Sequence, residues 1–205
     1  MNVRRVFGDT FDPPRDLDES DVLERAEQDF TSAVTIDPQN TTAFMYRGRA
    51  RAMLGELGSA IQDVTAAIRI DPTAGAYRTR GSYWWEKKEF DRAIADFRNA
   101  VQLDAADHES HACLACIFAT GPQTTTRDGK QAIEHAARAC SLLQSENPLY
   151  LGILAAAYAE SGDFEQAVKW QAKALELAME HEKPDFQKNL DLFKSRHSIR
   201  DQRTE

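Results

Sequence analysis

Apolar side chains along this chain fall at i, i+3, i+4 and i+7, the spacing of amphipathic helices, and one such stripe returns five times. The copies read AEQDFTSAVTIDP from Ala26, AIQDVTAAIRIDP from Ala60 and AIADFRNAVQLDA from Ala93, then AIEHAARACSLL from Ala132 and AVKWQAKALELA from Ala167. The leading alanines are separated by 34, 33, 39 and 35 residues. A near-constant period of this size predicts a solenoid, in which each unit buries its apolar face only against its neighbours.

Within one period the pattern resolves into two helices. Across Phe44 to Pro72, Leu54-Gly55-Glu56-Leu57-Gly58 reads as the turn, and Ala60, Ile61, Val64, Ala67 and Ile68 form the buried stripe of the second helix. Gly48 and Ala60 are small where two helices must cross closely. The following unit repeats this with Tyr77, Gly81, Trp84, Ala93, Phe97 and Ala100. Ser59 with Gln62, Asp128 with Gln131, Asp163 with Gln166 and Asp21 with Glu24 have capping-box spacing and predict helix starts. The pairs Asp37-Pro38 and Asp71-Pro72 predict helix ends, because proline disfavours helical geometry in the residue before it.

The aromatic, Gly, Ala, aromatic, Ala and Pro spacing of these units resembles the tetratricopeptide repeat, a helix-pair motif of about 34 residues, over roughly residues 20 to 180. The resemblance implies an all-α fold: a right-handed superhelical solenoid of antiparallel helix pairs. Its expected parts are an extended or disordered arm (1–19), a half repeat (20–38), repeats at 41–73, 74–106, 108–145 and 147–180, a C-terminal capping helix (184–196) and a flexible tail (197–205). Three departures stand out. Asp12-Pro13-Pro14-Arg15 occupies the place of a first helix in the first unit. The fourth unit carries an inserted loop, Gly121 to Arg127, and there resembles a variant unit of bacterial tetratricopeptide proteins. Phe186, Leu190 and Phe193 stand at helical spacing in the segment expected to cap the open end.

Composition narrows the classes of function. A net charge of −8 argues against non-specific duplex binding, and no apolar run approaches the roughly 20 residues needed to span a bilayer. The opening MNVRRVFGDTFDPP lacks the apolar stretch of a secretory signal, and three cysteines make no disulfide framework. The expectation is a cytoplasmic protein with reduced thiols.

In the resembled family the concave groove is lined mainly by the first helix of each pair. Carried onto this chain, that places Met45, Arg49, Met53, Arg78, Ser82, Trp85 and Glu86 in an early groove, and Ala112, Cys116, Gly152 and Ala156 in a later one. Residues 41–100 hold ten Lys/Arg against seven Asp/Glu, so the early groove suits a peptide that offers a carboxylate to arginine and an apolar group to Met or Trp. The small residues of the later groove would admit another backbone closely: a partner helix, or the chain's own arm with Phe7, Phe11 and Pro13-Pro14. Alternatively, they serve helix crossing alone. The family's two-carboxylate clamp for chaperone tails finds no match, since Met45 and Arg49, Thr79, then Glu109 and Cys113 stand at its positions. The register one unit later, with Arg78, Ser82, Cys113, Leu149 and Ile153, fails equally.

Signs of chemistry are few. His108, His111, Cys113 and Cys116, with His135 or Cys140 on the partner helix, could hold a metal, or could be packed thiols and ring contacts. No phosphate loop, nucleophile elbow or zinc-protease helix occurs. Asp63 and Asp96 recur at equivalent positions and read as a repeated solvent face, and the basic tail from Lys194 to Arg203 as a solvated end. The sequence therefore points to a non-enzymatic adaptor without cofactor that binds a partner protein or peptide and neither nucleic acid nor membrane. Two alternatives stay open: a homodimer formed through the apolar face of Val22, Ala26, Phe30, Ala33 and Val34, or a metal or thiol site at Cys113 and Cys116.

Overall fold

The computed structural model describes residues 18–143 and 146–199, and among these the regular structure is helical. Ten α-helices occur: α1 (Glu19–Ile36), α2 (Thr41–Met53), α3 (Leu57–Ile70), α4 (Ala74–Glu86), α5 (Phe90–Leu103), α6 (His108–Thr120), α7 (Gly129–Leu142), α8 (Pro148–Glu160), α9 (Phe164–Leu177) and α10 (Lys183–Lys194). The chain divides into two compact units, Met1–Glu89 with α1 to α4 and Phe90–Glu205 with α5 to α10. In the first unit α1 packs on α2, α2 on α3 and α3 on α4. In the second, α5 packs on α6, α6 pairs with α7 and α8 with α9, α8 also contacts α6 and α7, and α10 lies on α9. The arm (1–17) lies outside the described residues, as do 200–205 of the tail.

Local chemistry sets most of the helix boundaries. Asn40, Thr73, Asp107, Asp128, Asn147 and Asp163 each accept a backbone N–H of the first turn of the helix they precede. At Asp128 the expected partner closes the motif in its own way: Gln131 donates its backbone N–H at 3.0 Å and its side-chain Nε2 at 2.8 Å. Asp37 and Asp71 end their helices in extended geometry, as the following prolines require. Two expected starts move upstream. Asp18, not Asp21, caps α1 by accepting the Asp21 N–H at 2.9 Å. Ser59 lies inside α3, which starts at Leu57 after Glu56, so the turn closes at Glu56 instead of running to Gly58.

The physical cause of that early start is Gly55, whose φ of 84° reverses the chain in the left-handed region. Glu56 N–H then reaches Arg51 O at 2.8 Å and Gly55 N–H reaches Ala52 O at 3.1 Å, closing the end of α2. Lys88, with φ of 62°, makes the same closure at the end of α4 without the freedom of glycine.

Each second helix of a pair buries a stripe of alanines seven residues apart. Ala60, Ala93, Ala132 and Ala167 are all fully buried, and Ala67, Ala100, Ala139 and Ala174 nearly or fully so. The first copy differs, since Ala26 and Ala33 are half-buried. Val22 and Val34 in the same helix are buried, and Phe30 stacks on Tyr46 with ring centroids 5.4 Å apart. Part of the apolar face expected to pair with a second copy is therefore engaged within its own unit, while Ala26, Phe30 and Ala33 stay half-buried.

Asp63 and Asp96 do not form a solvent face; both are 3% exposed. In the first unit the reason is a buried ion network. Arg47 donates from Nη2 to Asp63 Oδ1 at 2.6 Å and from Nε to Oδ2 at 3.0 Å, and Arg51 donates from Nη1 to Oδ2 at 2.9 Å. Arg51 also holds Glu27 on α1 through Nε and Nη2, at 3.0 and 2.8 Å. One carboxylate thus ties α3 to α2, and α2 in turn to α1. Loss of one member of such a buried pair strands the other without its counter-charge, which typically costs about 3–5 kcal/mol.

Glycine positions separate crossing constraints from simple flexibility. A Cβ on Gly129 would lie 2.8 and 2.9 Å from the backbone N and Cα of Ser161, whereas one on Gly58 would meet nothing within 4 Å. Gly129→Ala is expected to destabilise the protein by about 1–3 kcal/mol, and Gly58→Ala to stabilise it by about 0.4–1 kcal/mol. Urea denaturation of both variants checks the opposite signs.

Candidate partner-binding site

The early-groove residues lie on α2 and α4 of the first unit, and several are already engaged. Met45 packs with Tyr77 and Tyr83 against the buried cluster of Val64, Ile68 and Ala76. Arg49 stands over the Tyr46 ring, its guanidinium carbon 5.8 Å from the centroid. Burial pushes the Tyr83 phenol up to about 12; Arg49 opposes that rise and Glu86 adds to it. Ser82 donates to Arg78 O within its own helix at 3.1 Å. Glu86 and Ser82 are exposed, while Met53, Arg78 and Trp85 are half-buried. This face carries both charge and aromatic surface, but Met45 serves the core rather than a free groove.

The second unit contains a cavity of about 460 Å³ where the later groove was expected. Cys116, Gly152 and Ala156 line it, together with Thr120, Leu149 and Ile153; Ala112, the fourth residue expected there, is buried. The opposite wall comes from the C-terminal segment and includes His181, Glu182, Asp185, Phe186 and Asn189. The chain's own α10 therefore closes one side of this groove. Gly152 makes that approach possible, since a Cβ there would come within 3.1 Å of the Phe186 ring. Gln171 on α9, 1% exposed, donates from Nε2 to Phe186 O at 2.9 Å and holds the start of α10 in place. Its Oε1 is buried and has no hydrogen-bond partner among the described residues. At the mouth, Leu149 is 60% exposed.

The cluster of histidines and cysteines does not converge. His108 Nδ1 pairs with the Tyr150 hydroxyl at 3.0 Å, and Cys116 Sγ lies 3.6 Å from the Thr120 hydroxyl. His111 and His135 bring their Nδ1 atoms to 2.9 Å across the α6–α7 contact. The three cysteines are free thiols, and burial raises that of Cys140. Among the described residues no three His, Cys, Asp or Glu side chains come together as a metal site.

With helix pairs, crossing alanines and cavity in view, comparison with known proteins identifies the repeat. Tetratricopeptide repeat models match residues 16–75 and 150–181. The helix pairs are tetratricopeptide repeats. The DnaJ homolog subfamily C member 7 homolog of Dictyostelium discoideum is 35% identical over 89 residues, which are 41% of this chain and 16% of that protein. Human Tetratricopeptide repeat protein 13 is 28% identical over 76 residues, 37% of this chain and 9% of its own length. The chain thus spans well under a fifth of these curated relatives. MamA superposes with a TM-score of 0.66 at 22% identity, covering 78% of this chain and 94% of MamA. YrrB, described as a TPR protein with an unusual peptide-binding site, superposes with a TM-score of 0.67 at 19% identity, covering 83% and 85%. At these identities the structural likeness speaks to the tetratricopeptide fold alone. No helix among the described residues is long and apolar enough to cross a membrane.

The repeat pattern places Cys116, Gly152 and Ala156 together but does not reveal Phe186, Glu182 and Asp185 as parts of the same site. The available signal was Gly152 itself, a glycine in mid-helix that marks a close approach, although nothing in its neighbourhood names the approaching group.

The tetratricopeptide pair α6–α7 also carries a proton-sensitive contact. Two imidazole nitrogens at 2.9 Å need one donor and one acceptor, and His111 also has a hydrogen bond with the Ala105 carbonyl. Burial lowers the affinity of both rings for a second proton; the neighbouring imidazole adds to this at His135, as do Arg138 at His111 and Arg98 at His135. The hydrogen bond to the Ala105 carbonyl, then Asp107 and Glu134, oppose the shift at His111, and Glu134 does so at His135. Folded-state values below the ordinary 6.5 mean that the unfolded chain takes up protons first as pH falls. Stability contributed by this pair is complete above that value and is lost as pH drops below it. Denaturation midpoints between pH 7.5 and 5.5 should decline in the wild type and decline less in a His111→Gln/His135→Gln variant.

Proposed function

We propose that this chain is a non-enzymatic protein-binding module, an adaptor or scaffold, that receives a segment of its partner in the cavity of the second unit. The single observation that carries the reading is that cavity, bounded by α6 and α8 on one side and α10 on the other. Ala156 keeps the α8 wall low beside the recess, and the exposed Leu149 offers apolar contact at the mouth. Apolar surface beside a shaped recess is the usual setting for an anchoring residue at an interface. The membership in a repeat family supports protein binding as the general role, while the choice of this cavity rests on its geometry. The three free thiols suit a reduced, cytoplasmic setting.

The first-unit face of Arg49, Met53, Arg78 and Trp85 is the competing location, favoured by its cations and aromatic surface. The two locations separate in a pull-down from native lysate. Leu149→Glu places a charge at the cavity mouth at an already exposed position, so folding should be retained. The partner bound by wild type should be lost with Leu149→Glu and kept with Arg49→Glu/Arg78→Glu. The reverse pattern would move the site to the first unit, and identical capture by all three proteins would remove both assignments.

A further inference from the structure

We infer that the second-unit cavity selects a cationic–apolar peptide segment, in which a large apolar side chain is flanked by lysine or arginine. The inference rests on the reading of this cavity as the partner site. It also reverses the sign of charge that the arginines of residues 41–100 suggest for a partner.

The cavity joins an apolar interior to a polar rim that carries two carboxylates. Ile153 and Ala156 on α8, with the Phe186 ring facing them from α10, supply the apolar surface, and Leu149 extends it to the mouth. Among the described residues the charged lining is of one sign: Glu182 and Asp185 contribute carboxylates, and the lysines and arginines described lie outside it. Asp185 is exposed and available to a solvent-borne cation, whereas Glu182 is half-buried and its Oε2 accepts the Met179 N–H at 3.0 Å. Such a site favours donors and positive charge from its occupant. An acidic or carboxylate-bearing segment would meet like charge at Asp185 and Glu182, and like-charge juxtaposition opposes binding. An uncharged apolar segment would satisfy the walls and leave the rim unmatched. The cationic–apolar class is the one that answers both surfaces.

The test uses the full chain and two fluorescent peptides, acetyl-Gly-Arg-Leu-Phe-Arg-Gly and its counterpart with glutamate at both arginine positions, followed by anisotropy. The arginine peptide should bind saturably, about tenfold or more tighter than the glutamate peptide, a difference on the scale of one charge-assisted contact. Binding should weaken as salt rises. Glu182→Gln/Asp185→Lys should remove or invert the preference; glutamine retains an acceptor for the Met179 N–H, and circular dichroism verifies the helices. Equal binding of both peptides would overturn the inference while leaving the cavity a partner site. So would failure of both peptides alongside loss of the lysate partner with Leu149→Glu. If neither peptide binds and Leu149→Glu has no effect on capture, the inference and the site assignment fall together.

Discussion

Close crossing of helices at alanine is the constraint on which the rest of this structure depends. Ala60, Ala132 and Ala167 have no exposed surface, and Gly48, Ala115 and Ala155 are buried at the equivalent point of the first helix each one packs against. Small side chains let the helix axes approach, and that proximity brings the larger groups around them, such as Val64, Phe97 and Leu154, into contact. A methyl group buries little area by itself. The stabilisation comes from the neighbours it admits, which is why overfilling such a point costs more than deleting it would suggest.

The same principle, displaced from its usual role, shapes the candidate site. Gly152 stands three positions before Ala155, the crossing point of α8, and it admits the ring of Phe186 instead. The start of α10 is then fixed by a single side-chain hydrogen bond from Gln171. A helix seated in this way closes the unit without filling the groove completely, and the remaining space is the cavity. The seat of α10 and the recess beside it are thus two consequences of one close approach.

Much of the fold was legible in the sequence because periodicity is local. The alanine spacing, the Asp-Pro stops and the caps at Asp128 and Asp163 all act within a few residues of themselves. Ser59 misled because Gly55 had already reversed the chain, so α3 could begin two residues earlier. Asp63 misled for a different reason: a carboxylate on a helix reads as solvated until Arg47 and Arg51, 16 and 12 residues before it, turn out to face it. The site was half legible. Cys116, Gly152 and Ala156 follow from repeat position, but Glu182 and Asp185 enter only through the seat of α10, which no local pattern specifies.

The most direct measurement is amide and side-chain chemical-shift mapping by NMR on the full chain as the captured partner is titrated in. The account predicts that perturbations concentrate on Cys116, Leu149, Gly152, Ile153, Asp185 and Asn189, on α6, α8 and α10. Perturbations confined to Arg49, Met53, Arg78 and Trp85 on α2 and α4 would contradict it.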